Sequence, residues 1–394
     1  MRIPYASEAV SFAQELIRRP SLSGQEHDVA ELVAREMAML GYDEVTVDEL
    51  GSVVGVLTGT GPGPTVLFDA HMDVVPVTEP EAWRHGPFSG DLAEGRLWGR
   101  GSTDVKGNLA AAVLALGALP RDAFAGRLVM AASVGEEMIE GLALSHILGR
   151  IQADAVVVCE PTGLNLAIGH KGRTGVVVEA RGRAAHTSRP ELGVNAVYRM
   201  IGAISRIRAV PPRHDPLLGD GVNELVEIVS DPYPGTSMVP AGCSVRFDRR
   251  LVRGETAETV LGEMREAIEG LDEVSARLHR VCFECYTGRS FTVDDFHAAW
   301  ALDEGHPLVR RALKGLQEAN LPARTFLAPY STNAAASAGE LGIATVIYGA
   351  GEIADAHVVN ESVSIEALQT AYRGYQALAL AIADGTRINA GYQI

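Results

Sequence analysis

The chain has 394 residues, 47% hydrophobic and 21% charged, with a net charge of −16. That length exceeds one compact core, so two domains are expected. The acidic balance and the lack of any basic run exclude a nucleic-acid surface as partner, and no apolar stretch approaches the ~20 residues of a membrane span.

In chain order, Tyr5–Arg18 reads as an amphipathic helix rather than a signal peptide, which points to the cytoplasm. Ser23 with Glu26 has the spacing of a capping box opening a second helix, which Gly41 closes. Short β-rich runs follow (EVTV, SVVGVL, TVLFDA, RLVMAAS and ADAVVVCE), with Ala-rich helical stretches at Asn108–Leu119 and Leu142–Arg150 between them. From about Gly172 the pattern becomes strand, helix, two strands, helix, strand, sufficient for a small sheet with two helices on one face. From about Phe291 the α/β texture returns, with VIYGAG as a core strand and Ser364–Ala383 as a closing helix. The expected architecture is α/β: a catalytic domain of residues 1–171 and 291–394, its mixed sheet flanked by helices, interrupted by an α+β (ferredoxin-like) domain at 172–290.

Four cysteines (Cys159, Cys243, Cys282, Cys285) do not make a disulfide framework, and the lone C-x-x-C lacks the two further ligands of a structural zinc. Against 31 arginines there are three lysines, and Lys106 and Lys171 both lie in Gly-flanked motifs, which hints that an ammonium is needed there.

Residues suited to a metal recur beside Gly or Pro at the ends of apolar runs. In FDAHMDVVP, His71 and Asp73 are two apart and face the same way on an extended strand. This permits His71 to bind metal while Asp73 holds its other ring nitrogen. Asp104, in GRGSTDVKGN, precedes a helix, where a carboxylate caps or ligates. Glu136 and Glu137 follow an apolar strand, which suits either solvent or a site at the sheet's carboxyl edge. Glu160 ends the most apolar strand of the chain, where an acid is costly unless paired or metal-bound. His357 sits in a polar loop after another core strand.

The ordered set H-x-D, G-x-x-D-x-K-G, G-E-E, E-P-T and a late His before N-E resembles the family of acetylornithine deacetylase, succinyl-diaminopimelate desuccinylase and glutamate carboxypeptidase. The resemblance covers essentially the whole chain. It implies two Zn²⁺ per subunit, with Co²⁺ or Mn²⁺ as alternatives, bridged by Asp104. His71 and Glu160 would complete one site, Glu137 and His357 the other. It further implies a cis peptide at Asp104–Val105, Asp73 orienting His71, and Glu136 as general base for a metal-bridging hydroxide. Two divalent cations against three carboxylates leave a net positive charge, which favours hydroxide over water.

The same resemblance makes the inserted domain a lid and the interface of a homodimer. His186, in RAAHTSRPELGVNA, would stabilise the oxyanion in the partner's site, and Arg250, in CSVRFDRRL, would grip the substrate carboxylate. Two departures stand out: Ser237 replaces a common Asn, and Asn333, in PYSTNAAAS, stands where an acid is common in the substrate pocket. The implied activity is cleavage of an amide in an N-acyl amino acid or small peptide bearing a free carboxylate. A dipeptidase or carboxypeptidase, a one-domain aminopeptidase and a catalytically silent ligand-binding relative are the competing readings. The insertion argues against the aminopeptidase, and the intact ligand set and base against the silent relative.

Overall fold

The computed structural model describes residues 5–235 and 237–386; the outermost residues of the expected catalytic domain, 1–4 and 387–394, lie outside them. Apolar, β-branched runs build a mixed nine-stranded sheet. Four neighbouring strands at its centre, Arg127–Ser133, Thr65–His71, Ala155–Val158 and Thr345–Ile347, are mutually parallel. Val53–Thr58 joins antiparallel to Arg127–Ser133 on one side. Thr65–His71 is buried along its whole length, as a parallel strand covered on both faces should be.

The helix Lys106–Gly117 is buried at all 12 positions. Its alanines let it lie against the helices Ala6–Ile17 and Ile365–Ile382, and a helix apolar all round belongs in such a place. Within it, Lys106 donates its ammonium to the carbonyls of Leu16 and Arg19, satisfying the C-terminal end of the first helix. Burial lowers that lysine to about 7.

The expected capping box at Ser23 and Glu26 does not form. The second helix runs His27–Met39, and both polar side chains point elsewhere: Ser23 Oγ donates to Asp73, and Glu26 accepts from the N–H groups of Gly24 and Gly135. A local cap competes with tertiary partners, and here the tertiary partners win.

The chain packs as two units, the second comprising Lys171–Val281 and Thr292–Trp300. Its five-stranded antiparallel sheet runs Val222–Asp231, Gly242–Leu251, Gly172–Arg181 and Val274–Leu278, with Phe296–His297 also on Gly172–Arg181. Helices Ala196–Arg208 and Ala257–Ala267 pack on this sheet and on each other. Cys282–Phe291, expected largely within the insertion, packs in the first unit instead. There Tyr286 Oη donates to Gly51 O at 2.8 Å and Thr287 Oγ1 to Glu49 O at 2.9 Å. All four cysteines are free thiols. Among the described residues no helix is long and apolar enough to cross a membrane.

Candidate metal centre

Because the four central strands are parallel, their carboxyl ends share one edge, and each delivers a ligand candidate there. His71 is the last residue of its strand, Glu136 and Glu137 follow Ser133, Glu160 follows Val158, and His357 lies beyond Ile347. Asp104 arrives from the turn before the buried helix, through a cis Asp104–Val105 peptide. His357 adopts φ 60°, the left-handed region that a side chain takes only when its surroundings hold it there.

The five side chains meet. His71 Nε2 lies 3.1 Å from Asp104 Oδ1 and 3.5 Å from Glu160 Oε1. His357 Nε2 lies 3.2 Å from Asp104 Oδ2 and 3.1 Å from Glu137 Oε1. The two oxygens of Asp104 therefore face different histidines. Glu136 is 8% exposed, and its Oε2 is 3.9 Å from His71 Nε2.

A layer behind the ligands fixes them. His71 Nδ1 is 3.0 Å from the Asp73 carbonyl oxygen and 3.5 Å from its carboxylate, so the backbone shares the orienting role expected of the side chain. The Asp73 carboxylate accepts from the N–H groups of Glu136 and Glu137, both at 3.1 Å, and from Ser23 Oγ at 2.6 Å. One buried acid thus ties the His71 strand to the Glu136–Glu137 turn. Glu361 does the same for Asp104: its Oε1 accepts from the N–H groups of Thr103 and Asp104, while Oε2 accepts from Arg100 at 2.5 Å. Arg100 and Glu361 escaped the sequence reading, and Ser23 and Glu26 were read there only as a helix cap. Only the N-E pair after His357 carried a trace of Glu361, since partners hundreds of residues apart leave no periodic signal.

The charges explain why cations suit this place. Burial, then the neighbouring carboxylates, pushes Glu136 and Glu160 upward and Glu137 to about 7. Hydrogen bonds to Asp104 and Glu137 raise His357 to about 10. His71 is also driven up: burial opposes the shift, but contacts with Asp104 and Asp73 overcome it. Converging carboxylates that resist ionisation together are the electrostatic signature of a site completed by positive charge. Imidazole and carboxylate donors match the preferences of Zn²⁺ and its divalent neighbours.

Three expected site residues remain: His186, Arg250 and Asn333. His186, in the second unit, is exposed, and its Nδ1 pairs with Ser188 Oγ at 2.8 Å. Arg250, on the Gly242–Leu251 strand, is half-buried with Nε 3.1 Å from Asp248 Oδ1. Its neighbour Arg249 is committed to Glu255 and Glu263. Asn333, expected to face substrate, is instead 2% exposed: its carboxamide donates to Asp69 and Ser133 and accepts from Gly141 N–H. All its polar atoms are taken up by the core, where it joins the Thr65–His71 strand to the turn after Glu137.

A mixed sheet flanked by helices, with acids and imidazoles gathered at its carboxyl edge, defines an α/β protein with a candidate metal site. The chain belongs to peptidase family M20/M25/M40, whose defining pattern matches residues 67–381. It is 29% identical over 391 residues to the Uncharacterized protein YgeY of Escherichia coli (strain K12), covering 95% of this chain and 94% of that one. It is 28% identical over 303 residues to a succinyl-diaminopimelate desuccinylase of Caulobacter sp. (strain K31), covering 71% and 75% of the two chains. Among solved structures, the Bacillus subtilis YXEP protein, a dinuclear metal binding peptidase of family M20, superposes with a TM-score of 0.68 at 16% identity, covering 97% and 99%. That last likeness establishes the fold.

Proposed function

We propose that the protein is a dinuclear zinc amidohydrolase that cleaves an amide in an N-acyl amino acid or small peptide bearing a free carboxylate. The observation that carries this reading is the division of Asp104 between His71 and His357. His71 and Glu160 would hold one cation, Glu137 and His357 the other, with Asp104 shared. Bound Zn²⁺, or Co²⁺ or Mn²⁺ in the same donors, lowers the pKa of water and polarises an amide carbonyl.

The chain's own residues do the rest. Glu136 is held by the Asp73–backbone contact, and burial and the acids beside it raise its proton affinity. It takes a proton from the attacking water and passes it to the departing amine, keeping the amine from leaving as an anion. Asp73 fixes the His71 ring. His186 would steady the oxyanion and Arg250 the substrate carboxylate; Asn333 acts through Asp69 instead of touching substrate. Glu136→Gln is expected to retain two metal equivalents, measured by elemental analysis, and to lose about 10²–10⁴-fold in kcat. A kcat within a few-fold of the parent would refute the role. Side-by-side rates on N-acetyl amino acids and dipeptides separate deacylase from peptidase.

The second unit supports a homodimer. Val222–Asp231 is the outer strand of its sheet, with Val226 and Ile228 more than half exposed. Tyr198 (73% exposed) and Ile201 are bare on the helix packed against that sheet. A bare edge strand beside apolar side chains suits pairing with its own copy.

A further inference from the structure

Beside the metal centre the first unit contains a cavity of about 390 Å³. That is inside the roughly 300–1,000 Å³ range of small-molecule sites. Its apolar lining comes from Pro161, Phe326, Pro329, Tyr330 and Ile353. The cavity shares its frame with the candidate ligands. Pro161 directly follows Glu160, and Tyr330 Oη donates to Pro161 O at 2.5 Å. Gly163 N–H donates to Gly351 O at 2.7 Å, and Gly349 N–H to Thr162 Oγ1 at 3.0 Å. The Glu160–Gly163 turn is thereby fastened to the loop that forms the opposite wall at Ile353 and continues to His357. Burial, and after it the Glu160 and Asp104 carboxylates, raises the Tyr330 phenol, as expected of a ring within reach of those acids.

Two opposite charges stand at the mouth. Arg324 and Glu352 are both exposed, and neither side chain makes an ion pair or hydrogen bond among the described residues. The Glu352 carboxylate leans so closely over Gly163 that a Cβ there would meet its Oε1 at 2.2 Å. A guanidinium and a carboxylate together leave the mouth without net preference for either sign. The walls then decide: a charged group pressed against proline, phenylalanine and isoleucine loses hydration for which those side chains offer no partner, whereas an apolar group gains by leaving water.

We propose that this cavity is a specificity subsite that takes an uncharged, apolar group of aromatic or large aliphatic size next to the amide that is cut. The inference rests on the hydrolase reading above and names the substrate class for it. The test compares kcat/KM of the metal-loaded enzyme on paired N-acetyl amino acids and dipeptides carrying phenylalanine or glutamate at one position, for the parent and for Ile353→Trp, which fills the cavity. The parent is expected to prefer the phenylalanine member of at least one pair by about tenfold or more, and Ile353→Trp to cut that preference at least fivefold. No preference in any pair, or a preference that Ile353→Trp leaves unaltered, overturns the subsite while leaving the hydrolase reading standing. If no pair is hydrolysed, the hydrolase reading fails, and the cavity is judged by ligand-observed NMR with 3-phenylpropanamide. Saturable binding that Ile353→Trp abolishes sustains an apolar-group site, and its absence in the parent overturns it.

Discussion

Glu361→Gln tests whether the layer behind the ligands matters. The Glu361 and Arg100 side chains are 0% and 1% exposed and form an ion pair with each other. Burial first, then the Asp104 charge, pushes the Glu361 carboxyl upward, and Arg100 opposes both. Replacing the acid with the amide keeps an oxygen for the N–H groups of Thr103 and Asp104 but leaves Arg100 buried without its counter-charge. Breaking one side of a buried pair costs about 3–5 kcal/mol. For a chain of this size that is a fall in Tm of about 4–6 °C. Urea and thermal unfolding of the metal-loaded protein measure the loss, and chelator competition measures how firmly the Asp104 turn still holds metal. A double-mutant cycle with Arg100→Met should show coupling of about 1–3 kcal/mol, because removing both charges leaves none stranded. A loss under about 1 kcal/mol, additive with Arg100→Met and with unchanged metal retention, would refute the reasoning.

Glu26 gives a pH prediction. Burial, then the Asp73 charge, raises it from 4.5 to about 7, so the folded state binds the extra proton between those values. Stability from this group therefore falls as pH rises from about 4.5 to about 7 and is level above, by about 3 kcal/mol in all. Glu26→Gln should raise Tm at pH 8 and change it little at pH 4; equal effects at both would exclude the linkage. Asp73→Ala should weaken metal binding about 10–100-fold, read by competition with a chromogenic chelator, because it frees both the His71 ring and the Glu136–Glu137 turn. Ile228→Lys on the outer strand should convert a dimer to a monomer in sedimentation, and a parent that already sediments as a monomer refutes the dimer.

Much of the fold was legible because burial imposes local periodicity. The runs TVLFDA, RLVMAAS and AVVV appear as neighbouring parallel strands, since a strand covered on both faces must be apolar throughout. The Ala-rich stretch became the buried helix for the same reason. Among the elements that went unread are the strands Leu166–His170 and Thr325–Ala328 and the helix Pro307–Glu318. The strands are short enough to be masked by the Gly and Pro around them. The helix starts from His306, whose ring accepts from Leu308 N–H, a cap outside the usual Ser, Thr, Asp and Asn set.

By itself the chain determined which side chains are able to bind metal and where its apolar segments lie, since both follow from residue type and local spacing. Folding alone decided that His71, Asp104, Glu137, Glu160 and His357 reach one edge, because only the parallel order of four strands turns five distant positions into neighbours. It also reassigned Ser23 and Glu26 from a helix cap to the support of Asp73 and Gly135, and Asn333 from substrate to core. A polar side chain takes the partner that the finished packing brings within about 3 Å, and no local pattern records that partner in advance.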